Sequence, residues 1–230
     1  MFVTDKIIYF AFPKCASEWL RNVYNLKWND DHVDNDWDAC DLNFCHVRPT
    51  RFLNELVYSN KDIFIFSIVR NTFERLVSSY EYGIRKNMEY AKKYDTFASF
   101  IENIHNSLEK DKNNWMSFQK NNPMAWMYMP VDLYFGKDLI NKIHFYDIKD
   151  LSLIIKDLES KGKYASSDYN EIINANVYQK DLYSYYYNSD GSAINDSQGR
   201  KIIDLINNVF EYEINRWNYN LTIDYKNATN

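Results

Sequence analysis

Apolar positions along this chain follow two rhythms. Residues 6–12 read KIIYFAF and residues 62–69 read DIFIFSIV, short runs of branched and aromatic side chains that predict β-strands. The second run is apolar almost throughout, as in a parallel strand covered on both faces. Residues 142–146 predict a late strand and residues 42–47 a short one. Elsewhere the spacing becomes helical. A helix starting near Ser17, with that serine as N-cap, carries Trp19, Leu20, Val23, Tyr24 and Leu26. Further helices are predicted over 49–57, with Pro49 in its first turn, over 73–90, and over 96–120, where Phe97, Phe100, Ile101 and Ile104 form a stripe and Asn121-Asn122-Pro123 makes the stop. Residues 147–160 predict a helix burying Leu151, Ile154, Ile155 and Leu158 and ending at Gly162. Residues 183–187 and 199–217 also read as helical, the latter burying Ile202, Ile203, Leu205, Ile206 and Phe210. The Asp- and Asn-rich residues 29–41 predict a connector, because those side chains compete with the backbone for hydrogen bonds.

Strands alternating with helices predict an α/β fold with a central, mainly parallel sheet flanked by helices. No repeat or boundary divides the chain, so a single domain over residues 1–230 is expected. Ligands of such sheets sit beyond the carboxyl ends of the strands, and Lys14 and Arg70 fall at two of those ends.

Composition narrows the function classes. A hydrophobic content of 46%, with 20 Tyr, 14 Phe and 6 Trp, argues against a disordered chain. Five Gly and four Pro leave the turns to Asn, Asp and Ser. The net charge of −5 supplies no global field for nucleic acid or an anionic membrane, so an anionic ligand requires a local basic pocket. Three cysteines with no C-x-x-C pair make no disulfide framework and fit a reducing compartment. The first residues run straight into a strand pattern, with neither signal peptide nor spanning helix, which predicts a cytoplasmic protein.

Two strand ends each deliver a cation and a hydroxyl near the start of a helix: Lys14 with Ser17, and Arg70 with Ser78. Unpaired N–H groups at such starts favour phosphate. A lysine is a point charge able to follow charge developing on a leaving oxygen, whereas arginine offers a planar fork to a static phosphate.

The run Pro13-Lys14-Cys15-Ala16-Ser17-Glu18-Trp19-Leu20 resembles the 5′-phosphosulfate loop of sulfotransferases that use 3′-phosphoadenosine 5′-phosphosulfate (PAPS). Residues 69–80, VRNTFERLVSSY, resemble the 3′-phosphate motif of the carbohydrate O-sulfotransferase branch, with Arg70 and Ser78 eight residues apart. Weaker similarities cover 115–119, 144–151 and the Tyr-rich C-terminal segment with its last helix. The resemblance implies a P-loop-like three-layer sandwich. It also implies PAPS as donor, with no metal, and a hydroxyl-bearing acceptor such as a glycan. Lys14, Cys15, Ala16, Ser17, Glu18 and Trp19 would then line the 5′-phosphosulfate, with Trp19 near the adenine, while Arg70 and Ser78 hold the 3′-phosphate. The segment Phe44-Cys45-His46-Val47 is similar to the one carrying the catalytic histidine of heparan 2-O-sulfotransferases, which makes His46 the expected base and Lys14 its partner in catalysis.

The chain departs from the family pattern at three places. Glu18 stands where a second hydroxyl is usual, and it repels a phosphosulfate unless it turns away or pairs with Arg21 or Lys14. Cys15 and Ala16 replace commoner Thr and Gly, and alanine costs backbone freedom where φ must be positive. Glu74 and Arg75 read as surface or supporting charges on a helix. His32, Cys40, Cys45 and His46 match no zinc spacing, and residues 34–38 imitate a calcium loop without its glycine or bidentate glutamate. Tyr183, Tyr185, Tyr186 and Tyr187 read as core packing before the last helix. Two alternatives stand beside the enzyme: a catalytically weak nucleotide- or glycan-binding module of the same fold, and a P-loop kinase, for which G-x-x-x-x-G-K-[ST] is missing.

Overall fold

A computed structural model describes residues 2–3, 7–24, 63–111, 125–164 and 182–221. In chain order these form β1 (Phe2–Val3), β2 (Ile7–Phe10), α1 (Ser17–Val23), β3 (Phe64–Val69), α2 (Thr72–Arg85), α3 (Glu89–Lys92) and α4 (Phe97–Asp111). There follow α5 (Val131–Phe135), α6 (Lys137–Ile140), β4 (His144–Asp147), α7 (Leu151–Ser160), α8 (Ile202–Val209) and α9 (Glu211–Trp217), with short 3₁₀ turns at Ala125–Met127, Ile148–Asp150 and Leu182–Tyr185. The chain divides into two compact units interleaved in sequence, Met1–Arg70 with Tyr134–Tyr178, and Asn71–Leu133 with Gln179–Asn230.

The first unit is built on a sheet of order β1-β2-β3-β4. β2, β3 and β4 are parallel, with Phe10 opposite Ser67 and Val69 opposite Asp147, and β1 adds an antiparallel edge. β3 is the central parallel strand and, apart from half-buried Phe64, is buried along its length. That is the environment its unbroken apolar run predicts, each large side chain contributing roughly 1.5–3 kcal/mol of transfer free energy. Tyr9 and Phe66, register partners, meet on one face at 5.0 Å, where the Tyr146 hydroxyl reaches Asp157 of α7. The other face receives Phe135 of α5, 5.8 Å from Phe10 and 5.5 Å from Phe145. The Ser67 hydroxyl donates to the Phe10 carbonyl at 2.8 Å, which ties the two strands at the edge where both end.

The second unit is helical. Tyr80 of α2 packs on Phe97 and Phe100 of α4, and Phe97 also meets Tyr185 and Tyr186. Residues 187–201 form a turn-rich segment with antiparallel bridges Tyr187–Ala193 and Asn195–Lys201. Asp196 organises its second turn by accepting from the backbone N–H groups of Gln198 and Arg200 and from the Arg200 side chain.

Several expected elements shorten or divide. The helix expected over 73–90 stops at Arg85, where Asn87 takes φ 56° and the Met88 N–H closes on the Gly83 carbonyl. Asparagine tolerates this left-handed conformation better than most residues. The expected last helix becomes α8 and α9, divided at Phe210 (φ −106°, ψ 22°), and Ile203 is half-buried rather than buried. Residues 147–160 start as a 3₁₀ turn before α7. Gly162 ends α7 with φ 79°, its N–H bonded to the Glu159 carbonyl. The tyrosine-rich 183–187 is a 3₁₀ turn leading into a bridge: Tyr186 is buried, Tyr185 half-buried, and Tyr183 and Tyr187 stack on each other at 4.4 Å. The connector at 29–41, the strand at 42–47, the helix at 49–57 and the stretch 112–124 lie outside the described residues. Among the described residues, no helix is long and apolar enough to cross a membrane.

Candidate functional site

The turn from β2 to α1 has an unusual backbone. Lys14 (φ 61°) and Ala16 (φ 59°, ψ 24°) both lie in the left-handed region, while Cys15 between them does not. Each left-handed non-glycine residue costs roughly 1–2 kcal/mol, and two within three positions persist only where their surroundings fix them. Here Pro13 and Cys15 are buried, and the Cys15 thiol donates to the Pro13 carbonyl at 3.3 Å. Ala16, left-handed, is followed by right-handed helical Ser17, and such a pair turns successive backbone N–H groups toward one concavity, as in phosphate-binding loops. Ala16 rather than Ser17 is the N-cap of α1, and Ser17 is its first helical residue. The Ala16 carbonyl accepts the first helical bond, from the Leu20 N–H at 3.1 Å.

The side chains around this turn have distinct surroundings. Lys14 and Ser17 are half-buried, and Cys15 is fully buried, so Cys15 offers an anion only its backbone. Glu18 points to solvent with 76% of its side chain exposed and lies 3.9 Å from the Arg21 guanidinium. Trp19 is a core residue at 3% exposure, its indole N–H buried without a hydrogen-bond partner.

Arg70 follows β3 directly. Because Phe10 pairs with Ser67 in parallel register, Lys14 lies four residues and Arg70 three residues beyond matched positions of adjacent strands. Both therefore leave the sheet at its carboxyl edge, within the first unit. Arg70 is half-buried. Asn71 caps α2, its side-chain oxygen accepting from the Phe73 N–H at 3.0 Å. Ser78, half-buried, belongs to the second unit, about two turns into α2.

Arg75 is not at the surface. It has no solvent exposure, and its Nη2 donates to Glu213 Oε1 at 2.9 Å. The same oxygen accepts from the Thr72 hydroxyl at 2.6 Å, and Oε2 accepts from the Val131 N–H at 2.9 Å. The correction has a visible cause: Arg75 falls between Thr72 and Ser79 on the buried face of α2, a face whose small polar residues leave room for a guanidinium. Glu74, its neighbour, is half-buried.

The expected base, His46, lies outside the described residues, as do His32, Cys40, Cys45 and the acidic run 34–38. Of the other histidines, His144 is exposed on β4. His105 is buried on α4, its ring nitrogens 3.4 Å from Asn106 and Asn208. Among the described residues, no three His, Cys, Asp or Glu side chains gather to hold a metal.

Comparisons with protein-family models, with curated proteins and with solved structures find nothing that matches this chain.

Proposed function

We propose that the chain is a PAPS-dependent sulfotransferase acting on an acceptor hydroxyl of a carbohydrate, the class suggested by the branch that residues 69–80 resemble, with a P-loop-like three-layer fold. The observation that carries the reading is the β2–α1 turn: two left-handed residues, one of them Lys14, lie at the same carboxyl edge of the sheet from which Arg70 leaves β3. An ordinary strand-to-helix turn has no need of that strain. The departure at Glu18 weighs less once its carboxylate is solvated and beside Arg21.

In this reading the N–H groups of residues 15–17, the Ser17 hydroxyl and the Lys14 ammonium receive the 5′-phosphosulfate, and Arg70 with Ser78 receives the 3′-phosphate. PAPS supplies an activated sulfuryl group: the acceptor oxygen forms a bond to sulfur as the bond from sulfur to the bridging phosphate oxygen breaks. His46 takes the proton from the acceptor hydroxyl. Lys14 stabilises the negative charge left on the phosphate, and positioning with electrostatics supplies most of the rate.

The test is thermal unfolding with adenosine 3′,5′-bisphosphate, which raises the melting temperature of the wild type but not of Arg70→Ala, while ATP with magnesium has little effect. Equal shifts with both nucleotides overturn the assignment. In a sulfate-transfer assay, His46→Ala retains bisphosphate binding and loses turnover by about 10²-fold or more.

A further inference from the structure

The central strand of the first unit carries a polar side chain in an otherwise apolar run. β3 reads FIFSIV, and its serine, Ser67, has no solvent exposure. Burying a hydroxyl without a partner costs free energy, and Ser67 finds its partner on the neighbouring strand. It donates to the carbonyl of Phe10, its register partner on β2, at 2.8 Å. The same carbonyl accepts from the Phe12 N–H at 2.9 Å. A carbonyl oxygen has two lone pairs, so both are taken, and the second bond closes a three-residue turn of the kind that ends strands. The chain leaves the sheet at that point. Two further contacts bracket Lys14: the buried Phe12 ring meets Tyr134 edge-on at 5.0 Å, and the Cys15 thiol donates to the Pro13 carbonyl at 3.3 Å. All of these residues belong to the first unit.

We propose that Ser67 is a positioning residue for the turn at residues 14–17 that receives the 5′-phosphosulfate. The role rests on the functional reading above and needs only the β2–α1 part of it. Left-handed Lys14 and Ala16 keep that conformation only while their surroundings fix it, and the turn departs from the Phe10 carbonyl. Without the hydroxyl, the Phe10–Ala11 peptide keeps one bond of two and is free to rotate, which carries the backbone N–H groups around Ala16 and Ser17 out of their common direction. Ser67 touches no anion and acts through Phe10.

The test follows the amide signals of Ala16 and Ser17 by NMR in the full-length chain. The titrant is adenosine 5′-phosphosulfate, which carries the 5′ group without a 3′-phosphate. In the wild type both amides shift saturably. Ser67→Ala removes the hydroxyl and lowers the affinity about 10-fold, while Ser67→Cys, a weaker donor, lowers it about 3-fold and carries the test should the first variant fail to fold. Melting temperatures are read alongside, because a hydroxyl that only joins two strands changes stability and leaves affinity alone. Unchanged affinity in Ser67→Ala, or in Ser67→Cys where it stands in, overturns the positioning role and leaves the functional reading in place. Wild-type amides that do not respond to the nucleotide overturn that reading, and this role with it.

Discussion

The two turns that leave the sheet at β2 and β3 solve the same problem by opposite means. After β3, the chain enters α2 through a conventional cap, with the Asn71 side chain accepting from the Phe73 N–H, and the helix start is then fastened by buried side chains. After β2, no side chain caps α1, and order is carried by a backbone held in the left-handed region at Lys14 and Ala16. One turn stores its precision in side-chain bonds that can be deleted singly. The other stores it in backbone strain, which only its neighbours can maintain. The first turn is thus ordered by its side chains and the second by its main chain.

The largest effect is expected where the side-chain solution is broken. Arg75→Ala leaves Glu213 buried without its counter-charge, and Glu213→Ala strands the guanidinium; each costs about 3–5 kcal/mol, read from urea unfolding. A loss below about 1 kcal/mol for either means that the pair is not the fastening of α2. The backbone solution predicts a change of sign. Glycine normally weakens a structure by loosening the unfolded chain, yet Ala16→Gly relieves a left-handed alanine and is expected to raise stability by about 1 kcal/mol. Lowered stability in that variant removes the strain from the account. Asn71→Ala, the loss of an ordinary cap, lowers stability by about 1 kcal/mol, with no change of sign.

Those contrasts explain how much was legible in the sequence. The parallel strands are legible, because β2 and β3 are apolar runs of branched and aromatic residues, and their ends locate Lys14 and Arg70. The left-handed turn was legible only as a question: Ala16 stands where the resembling family commonly has glycine, and φ of 59° answers it. Helical periodicity continues through 86–87 and through Phe210, so neither break shows in the pattern. Each depends on backbone geometry at one residue. Arg75 reads as a surface or supporting charge because charged side chains are seldom fully buried. Its partner is 138 residues away, and no local spacing announces it. The small residues Thr72, Ser79 and Gly83 around Arg75 were the available signal, since a long side chain amid short ones on a buried face has space to fill.

The smallest effect concerns a bond that both units possess. Tyr146 donates to Asp157 at 2.5 Å in the first unit, and Tyr185 donates to Glu81 of α2 in the second. In each, burial raises the phenol above its ordinary value first, followed by the hydrogen bond to the carboxylate and the carboxylate's charge. A raised folded-state value means that the neutral phenol is favoured by folding. The contribution is complete below about pH 10, and it is lost as pH climbs, because the unfolded chain ionises first. Urea midpoints measured at about pH 8 and about pH 11 therefore fall less for Tyr146→Phe and for Tyr185→Phe than for the wild type. Since the Tyr185 bond ends on a helix already fastened through Thr72 and Arg75, its removal at about pH 8 is expected to cost less than removal of the Tyr146 bond, which joins β4 to α7. The reverse order shows that α2 leans on its outer face more than on Glu213.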